Sequence, residues 1–310
     1  MTKTAEKRYD VFIIGGGPAG LSAALVLGRC RRKVVVCDDG KPRNAAAREM
    51  HGFLSRDCLP PAEFAAISRE QLKRYPEVEL VSGEAVKCER LDEHFAIRLR
   101  DGRSYTARCL LLATGVVDEI PRIPRIQEFY GRTVHHCPYC DGWEHRGKRM
   151  AVYGRKKAAA ELALELLGWT SQIALCTDGD PEFEGEMIRK LEVNGIMLIR
   201  EQVERLEGTN GVLERIRFKD GLAHTCDALF FPPEQHQRSH FAKDLGCELC
   251  DDGMVQPEEG MSTAVPGVYV AGNASTGLQM VIMAAASGAH AAFTINQRLI
   301  EADLVQPAGK

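Results

Sequence analysis

Neither sign of charge dominates this sequence: 40 Lys plus Arg stand against 43 Asp plus Glu, with a pI near 6.3. Without a one-signed field there is nothing to recruit nucleic acid or an anionic membrane, so small molecules and proteins are the expected partners. Long hydrophobic runs are missing as well, and no apolar stretch reaches the roughly 20 residues a membrane span needs. The opening residues Met1 to Asp10 are polar and charged, which leaves no apolar core for a secretory signal before the first strand. No tract has the composition of a disordered segment. Hydrophobic residues make up 45% of 310 positions, enough to build the cores of two ordinary domains. The eleven cysteines are an odd number, scattered through apolar strands (Cys37, Cys109, Cys176) and helical or loop settings (Cys30, Cys58, Cys88, Cys226). That usage fits a reducing cytosol better than a disulfide framework, so a cytoplasmic location is expected.

Tyr9 to Ile14 (YDVFII) is a short apolar run that ends in Gly15-Gly16-Gly17-Pro18-Ala19-Gly20 and continues into the helical pattern LSAALVLGR. Strand, glycine turn and helix together give the G-x-G-x-x-G pattern its meaning. Gly15 permits the tight turn, Gly17 lets the backbone approach a pyrophosphate, and Gly20 packs the helix on the strand. A second apolar strand, Val34 to Cys37, stops at Asp38, some twenty residues beyond the turn, where an acid accepts hydrogen bonds from a ribose. From Val78 to Ala107 short alternating strands follow, with a hairpin turn at Asp101-Gly102. Leu110 to Leu112 then forms a buried strand ending in the small-residue turn Ala113-Thr114-Gly115. A hairpin region between nucleotide-binding strands suits an FAD-binding fold rather than a simple dehydrogenase.

Cys137-Pro138-Tyr139-Cys140 sets two thiols in the spacing that closes a small disulfide ring at a helix start, where a thiolate is stabilised. A structural zinc site and a chance pair of buried cysteines are the rival readings of the tetrapeptide. His135 and His136 precede it; protonated, they would lower a thiol pKa, while a packing role is the plainer reading. A second pair, Cys247 and Cys250, reads as ordinary thiols, as a relay disulfide or, with Cys137 and Cys140, as a four-cysteine zinc site.

Arg149 to Tyr153 is another strand, running into Gly154-Arg155-Lys156-Lys157 and a helix. This second dinucleotide turn has lysine at the position of its middle glycine, which crowds the path of a pyrophosphate. After the next strand come Asp178 and Asp180, acids where an NADPH site wants arginines. Both features argue against NADPH bound in its usual form. Arg155, Lys156 and Lys157 still put three cations at a helix start, which serves equally as a phosphate site or as a solvated basic turn.

With these pieces in place, the chain resembles the low-molecular-weight thioredoxin reductase family. IIGGGPAG, LLATG, FYGRTVHHCPYCDGWEHRGKRMAVYG and the GVYVAGN strand with its small-residue helix occur in that family's order over nearly the whole chain. The resemblance implies two Rossmann-like α/β domains of the three-layer ββα type, the second inserted into the first. An FAD domain would span 1–116 and 246–310, interrupted by an NADPH-type domain over 117–245, and the protein would pair as a homodimer. It implies that Gly15, Gly17, Pro18, Ala19, Gly20, Asp38, Ala113, Thr114, Gly115, Gly272, Asn273, Gln279 and Met280 contact FAD. Cys140 would face the flavin, Cys137 would exchange with substrate, and Asp141 would be the acid/base; no metal is implied. Asn273 stands where the family usually has Asp, and an amide still donates and accepts.

Lys156, the missing arginines and PPEQHQ at the later strand end all fall on the second nucleotide site. They resemble a subgroup in which pyridine nucleotide is not the donor, its place being taken by ferredoxin or a second FAD. The expected activity is electron exchange between flavin, the Cys137–Cys140 pair and a disulfide substrate, a thioredoxin-like protein or a small disulfide or dithiol. The alternatives are a flavin dithiol oxidase running in reverse and a flavin redox sensor or electron-transfer partner without turnover.

Overall fold

The computed structural model describes residues 8–304; Met1 to Lys7, read above as lacking a secretory core, and the last six residues lie outside them. Two compact units emerge. One comprises residues up to Ala45, Ala62–Val117 and Gln235 onward; the other comprises Ala46–Pro61 and Asp118–Glu234.

The first unit begins with β1 (Arg8–Ile14), α1 (Pro18–Arg29), β2 (Val34–Asp38), α2 (Pro61–Leu72), β3 (Val78–Ser82), β4 (Ala85–Leu91), β5 (His94–Leu99) and β6 (Ser104–Leu112). The second carries β7 (Val116–Glu119), α3 (Ile126–Phe129), β8 (Val134–His135), α4 (Pro138–Asp141), β9 (Met150–Tyr153), α5 (Lys157–Glu165), β10 (Ile173–Cys176), α6 (Gly185–Val193), β11 (Met197–Ile199), β12 (Val203–Thr209), β13 (Val212–Phe218), β14 (Ala223–Thr225) and β15 (Ala228–Phe230). The chain returns through β16 (Glu234–Gln237), which pairs with β7, and finishes with α7 (Phe241–Asp244), β17 (Val268–Val270) and α8 (Val281–Asp303).

Among the described residues the first unit's sheet has seven strands in the order β3-β2-β1-β6-β5-β4, with β17 also paired to β6. β6 changes partner along its length. Its first half, Ser104–Ala107, runs antiparallel to β5, while Leu110, Leu111 and Leu112 run parallel to Val268, Tyr269 and Val270. This brings the carboxyl ends of β1, β6 and β17 side by side, the edge at which such sheets bind ligands. Alternation explains why these strands read as continuous apolar runs. Phe12, Ile14, Leu110, Leu112, Val268 and Val270 enter one core, and Val11, Ile13, Cys109, Leu111 and Tyr269 enter the core on the other face. β3 pairs parallel to β2, so the VEL segment belongs to the nucleotide-binding sheet and the hairpin insert begins only at β4.

Phe241, Ala242 and Cys247 are buried in the first unit's core, which is why the chain counts with that unit from Gln235 rather than from Gly246. α8 runs from Val281 to Asp303. Its small residues serve helix packing: a Cβ on Gly288 would lie 2.0 Å from the Ala19 carbonyl oxygen of α1. Cys247 donates to Thr263 Oγ1 and Cys250 to Gln256 Oε1, as ordinary thiols do.

The second unit has a parallel sheet, β11-β10-β9-β15-β8, and a separate antiparallel sheet, β12-β13-β14. On the latter, Glu207 accepts from Arg215 Nε at 2.5 Å, Arg217 Nε at 3.3 Å and Arg205 Nη2 at 2.6 Å. Arg215 first, then Arg217 and Arg205, hold its carboxyl down to about 2 against the ordinary 4.5. A depressed carboxylate stabilises the fold fully above the ordinary value and loses that contribution as pH falls toward the folded one. Urea unfolding followed from pH 7 to pH 3 is expected to show stability declining below 4.5, with a shallower decline in Glu207→Gln.

Candidate active site

β8 ends at His135, and two residues later the chain turns into the four-residue helix α4 with Pro138 at its first position. Proline there loses no intrahelical hydrogen bond and presets the backbone angle. Cys137 and Cys140 are joined as a disulfide, their Cα atoms 5.2 Å apart. Closed on each other, they are not thiolate ligands of a zinc ion. The Cys140 amide donates to Cys137 Sγ at 3.1 Å, and the Cys140 and Asp141 amides to the Cys137 carbonyl. A helix this short has little macrodipole, so stabilisation of a Cys137 thiolate falls to that single amide. Tyr139 and Trp143 beside the pair are 63% and 64% exposed, and Trp169 packs edge-on against Tyr139.

Behind the disulfide lies a buried group the sequence did not single out as such. His135 Nδ1 is 3.1 Å from Asp141 Oδ1, and its Nε2 is 3.0 Å from both His145 Nε2 and the Arg132 carbonyl oxygen. Burial, followed by the charges of His135 and Lys148, pushes the His145 imidazole down to about 4. His136 instead turns its Nδ1 to the Tyr130 hydroxyl at 3.2 Å and stacks on that ring. Of the two histidines before the pair, only His135 meets Asp141. His145 was detectable in principle as a histidine five residues past Cys140, but its burial depends on Phe230 of β15, far along the chain.

In the first unit several of the predicted cofactor residues come together. Gly15 has φ +112°, and a Cβ there would lie 2.2 Å from the Ala113 carbonyl oxygen; one on Gly20 would lie 1.9 Å from the Gly15 carbonyl oxygen. Gly17, at the N-cap of α1, has nothing within 4 Å of its Cβ position and no side-chain cap closes the helix. Pro18 and Ala19 open α1, and Ala19 faces Gly272, whose φ is +68° and whose amide donates to Ser287 Oγ. Asp38 lies over Gly16, with Cγ 2.6 Å from where a Cβ would stand, and takes Arg69 Nη2 at 2.6 Å. Thr114 and Gly115 follow β6, Asn273 follows β17, and Met280 is the N-cap of α8. Gln279 accepts from Arg43 Nη1 at 2.6 Å and exchanges hydrogen bonds with Gln235. A turn too tight for side chains at Gly15 and Gly20 yet open over Gly17, at an uncapped helix start, fits a dinucleotide's diphosphate.

The second turn is different. Arg155 Nη2 donates to the Asp178 carbonyl at 2.5 Å and lies 2.5 Å from a Cβ position on Gly179. Lys156 pairs with Glu234 at 2.5 Å and Lys157 with Glu161 at 3.0 Å. Asp178, at the place of a ribose-binding acid, takes the Tyr153 hydroxyl and the Val203 amide. Gly154 keeps the turn's positive φ, at +148°. All three cations are thus partnered by this unit's own groups.

Two strand-turn-helix units of the dinucleotide type and a redox-spaced disulfide together define an oxidoreductase of the two-Rossmann class. The sequence matches the family described as pyridine nucleotide-disulphide oxidoreductase over residues 9–289, and the chain belongs to that family. It is similar to thioredoxin reductase tcpT of Claviceps purpurea, 33% identical over 306 residues covering 95% of each chain. Among solved structures, HlmI is 34% identical with a TM-score of 0.91, over 98% of this chain and 95% of that one. TrxB from Bacillus anthracis is 32% identical with a TM-score of 0.90, over 95% and 100% respectively. The chain is therefore a thioredoxin reductase-like oxidoreductase, and its family implies FAD, which the first unit's residues fit.

Proposed function

We propose that the protein is an FAD-dependent thiol–disulfide oxidoreductase whose electron donor is not a pyridine nucleotide. The observation that supports this reading is the second turn: Lys156 stands at its middle-glycine position and pairs with Glu234, and Arg155 is held by the Asp178 carbonyl, so both cations are engaged within the protein. Gly15, Gly17, Pro18, Ala19, Gly20, Asp38, Ala113, Thr114, Gly115, Gly272, Asn273, Gln279 and Met280 hold FAD, which when bound supplies or accepts an electron pair. Cys137 exchanges with substrate, Cys140 is the flavin-side thiol, and Asp141 moves the proton that exchange requires. Exposed Tyr139 and Trp143 give the substrate an aromatic surface, suited to a thioredoxin-like protein or a small apolar disulfide. A discontinuous FAD domain interrupted by an NADPH-type domain, and a homodimer working in the cytoplasm, complete the reading; nine unpaired cysteines among the described residues suit such a reducing compartment.

The same turn favours a second reading, in which a dithiol feeds electrons to the flavin and oxygen removes them, because that direction needs no nucleotide. Anaerobic titration of the holoenzyme with NADPH, NADH and reduced ferredoxin separates these cases. The expected outcome is that neither pyridine nucleotide bleaches the flavin within a turnover. Fast bleaching by NADPH would refute the reading of Lys156. Bleaching by ferredoxin identifies the donor, a flavin-to-protein ratio near two identifies a second FAD, and oxygen uptake with a dithiol alone identifies the oxidase.

A further inference from the structure

The His135 ring is buried, and both of its nitrogens face acceptors. A carbonyl has no hydrogen to give, so the Arg132 oxygen 3.0 Å from Nε2 requires that nitrogen to carry one. His145 Nε2, at the same distance, is then a second acceptor for it. Burial keeps the His145 ring neutral, which leaves that lone pair free to accept. The cost of this tautomer is visible: His145 Nδ1 is buried without a partner among the described residues. With Nε2 protonated, the 3.1 Å contact between Nδ1 and Asp141 Oδ1 needs one more hydrogen, on the ring or on the carboxyl. The two groups therefore hold one proton between them, walled by Phe230. The other charges facing this cluster are Lys148 and Asp227, the latter paired with Arg149.

We propose that His135 is a positioning residue that stores, jointly with Asp141, one proton beside the Cys137–Cys140 disulfide, with His145 fixing its ring for the transfer. The inference rests on the thiol–disulfide reading above. In the step concerned, a substrate thiolate attacks Cys137 Sγ and forms a mixed disulfide as the Cys137–Cys140 bond breaks. The bonding pair leaves on Cys140 Sγ, which takes the stored proton through Asp141. The substrate sulfur is oxidised, the Cys140 sulfur is reduced, and the proton count balances without any further reactant.

Two measurements on the holoenzyme test this. Nitrogen-15 spectra of histidine-labelled oxidised protein are expected to show hydrogen on His135 Nε2 and a shared hydrogen at Nδ1. Stopped-flow reaction of the disulfide with dithiothreitol across pH is expected to slow by about ten- to a hundredfold in His135→Asn. That variant keeps a donor toward Asp141 but cannot store a proton, so the wild-type ionisation step should vanish from its rate profile. A bare His135 Nε2 in the spectra, or a His135→Asn profile with the wild-type step, overturns the inference. Where the variant fails to fold, the wild-type spectra decide alone. A wild-type disulfide inert to dithiothreitol at every pH instead overturns the proposed function itself.

Discussion

Serine at Cys137 or at Cys140 is expected to lower disulfide turnover by roughly a thousandfold or more, because a hydroxyl neither ionises at neutral pH nor forms the exchangeable bond. The two variants should fail in different ways. With Cys140 replaced, Cys137 still attacks a disulfide substrate but nothing resolves the product, so a mixed disulfide accumulates and is read directly as added mass. With Cys137 replaced, the remaining thiol is the one assigned to the flavin side, and no adduct of comparable yield forms. Both proteins should stay folded. Closing a ring of only four residues restricts the unfolded chain little, contributing about 2 kcal/mol. A bond that opens in every turnover is also one the fold cannot depend on. Adducts of equal yield on both variants would reverse or dissolve the assignment of the two thiols.

What the sequence revealed depends on how local each requirement is. The first glycine turn was readable because part of its constraint is local: Gly20 meets the Gly15 carbonyl oxygen five residues back, and Gly15 itself takes a positive φ. Lysine at the second turn's middle-glycine position was plain in the same local way. Its pairing was not, since Glu234 stands 78 residues away and no pattern joins a turn to an acid brought near by the fold. The same holds for His145, whose burial against Phe230 turns a plain histidine into a neutral hydrogen-bond acceptor. β3 looked like the start of the hairpin because alternation reports one buried face without naming the neighbouring strand, and its parallel register with β2 is a tertiary fact. The small residues of α8 gave no hint of their packing partner, and Gly288 shows them making room for α1.

Two alanine substitutions only three residues apart in sequence should separate folding from cofactor binding in the first unit. At Gly20 a Cβ would stand 1.9 Å from the Gly15 carbonyl oxygen and 3.2 Å from Ile13 Cγ2. Backbone on backbone leaves no flexible group to yield, so α1 must lift from β1. The expected cost is about 3 kcal/mol or more, in line with overpacking of a close contact, and the variant should emerge largely without flavin. At Gly17 the backbone is an ordinary extended one, with φ −78°, and the Cβ position is empty to 4 Å. Gly17→Ala should therefore melt within a few degrees of the parent apoprotein. Its methyl group, however, points into the space through which a diphosphate reaches the amides at the start of α1, so the flavin-to-protein ratio should fall severalfold. Thermal unfolding of the apoproteins together with flavin absorbance of the purified proteins measures both effects. A Gly17→Ala protein that retains full flavin content would place the diphosphate elsewhere.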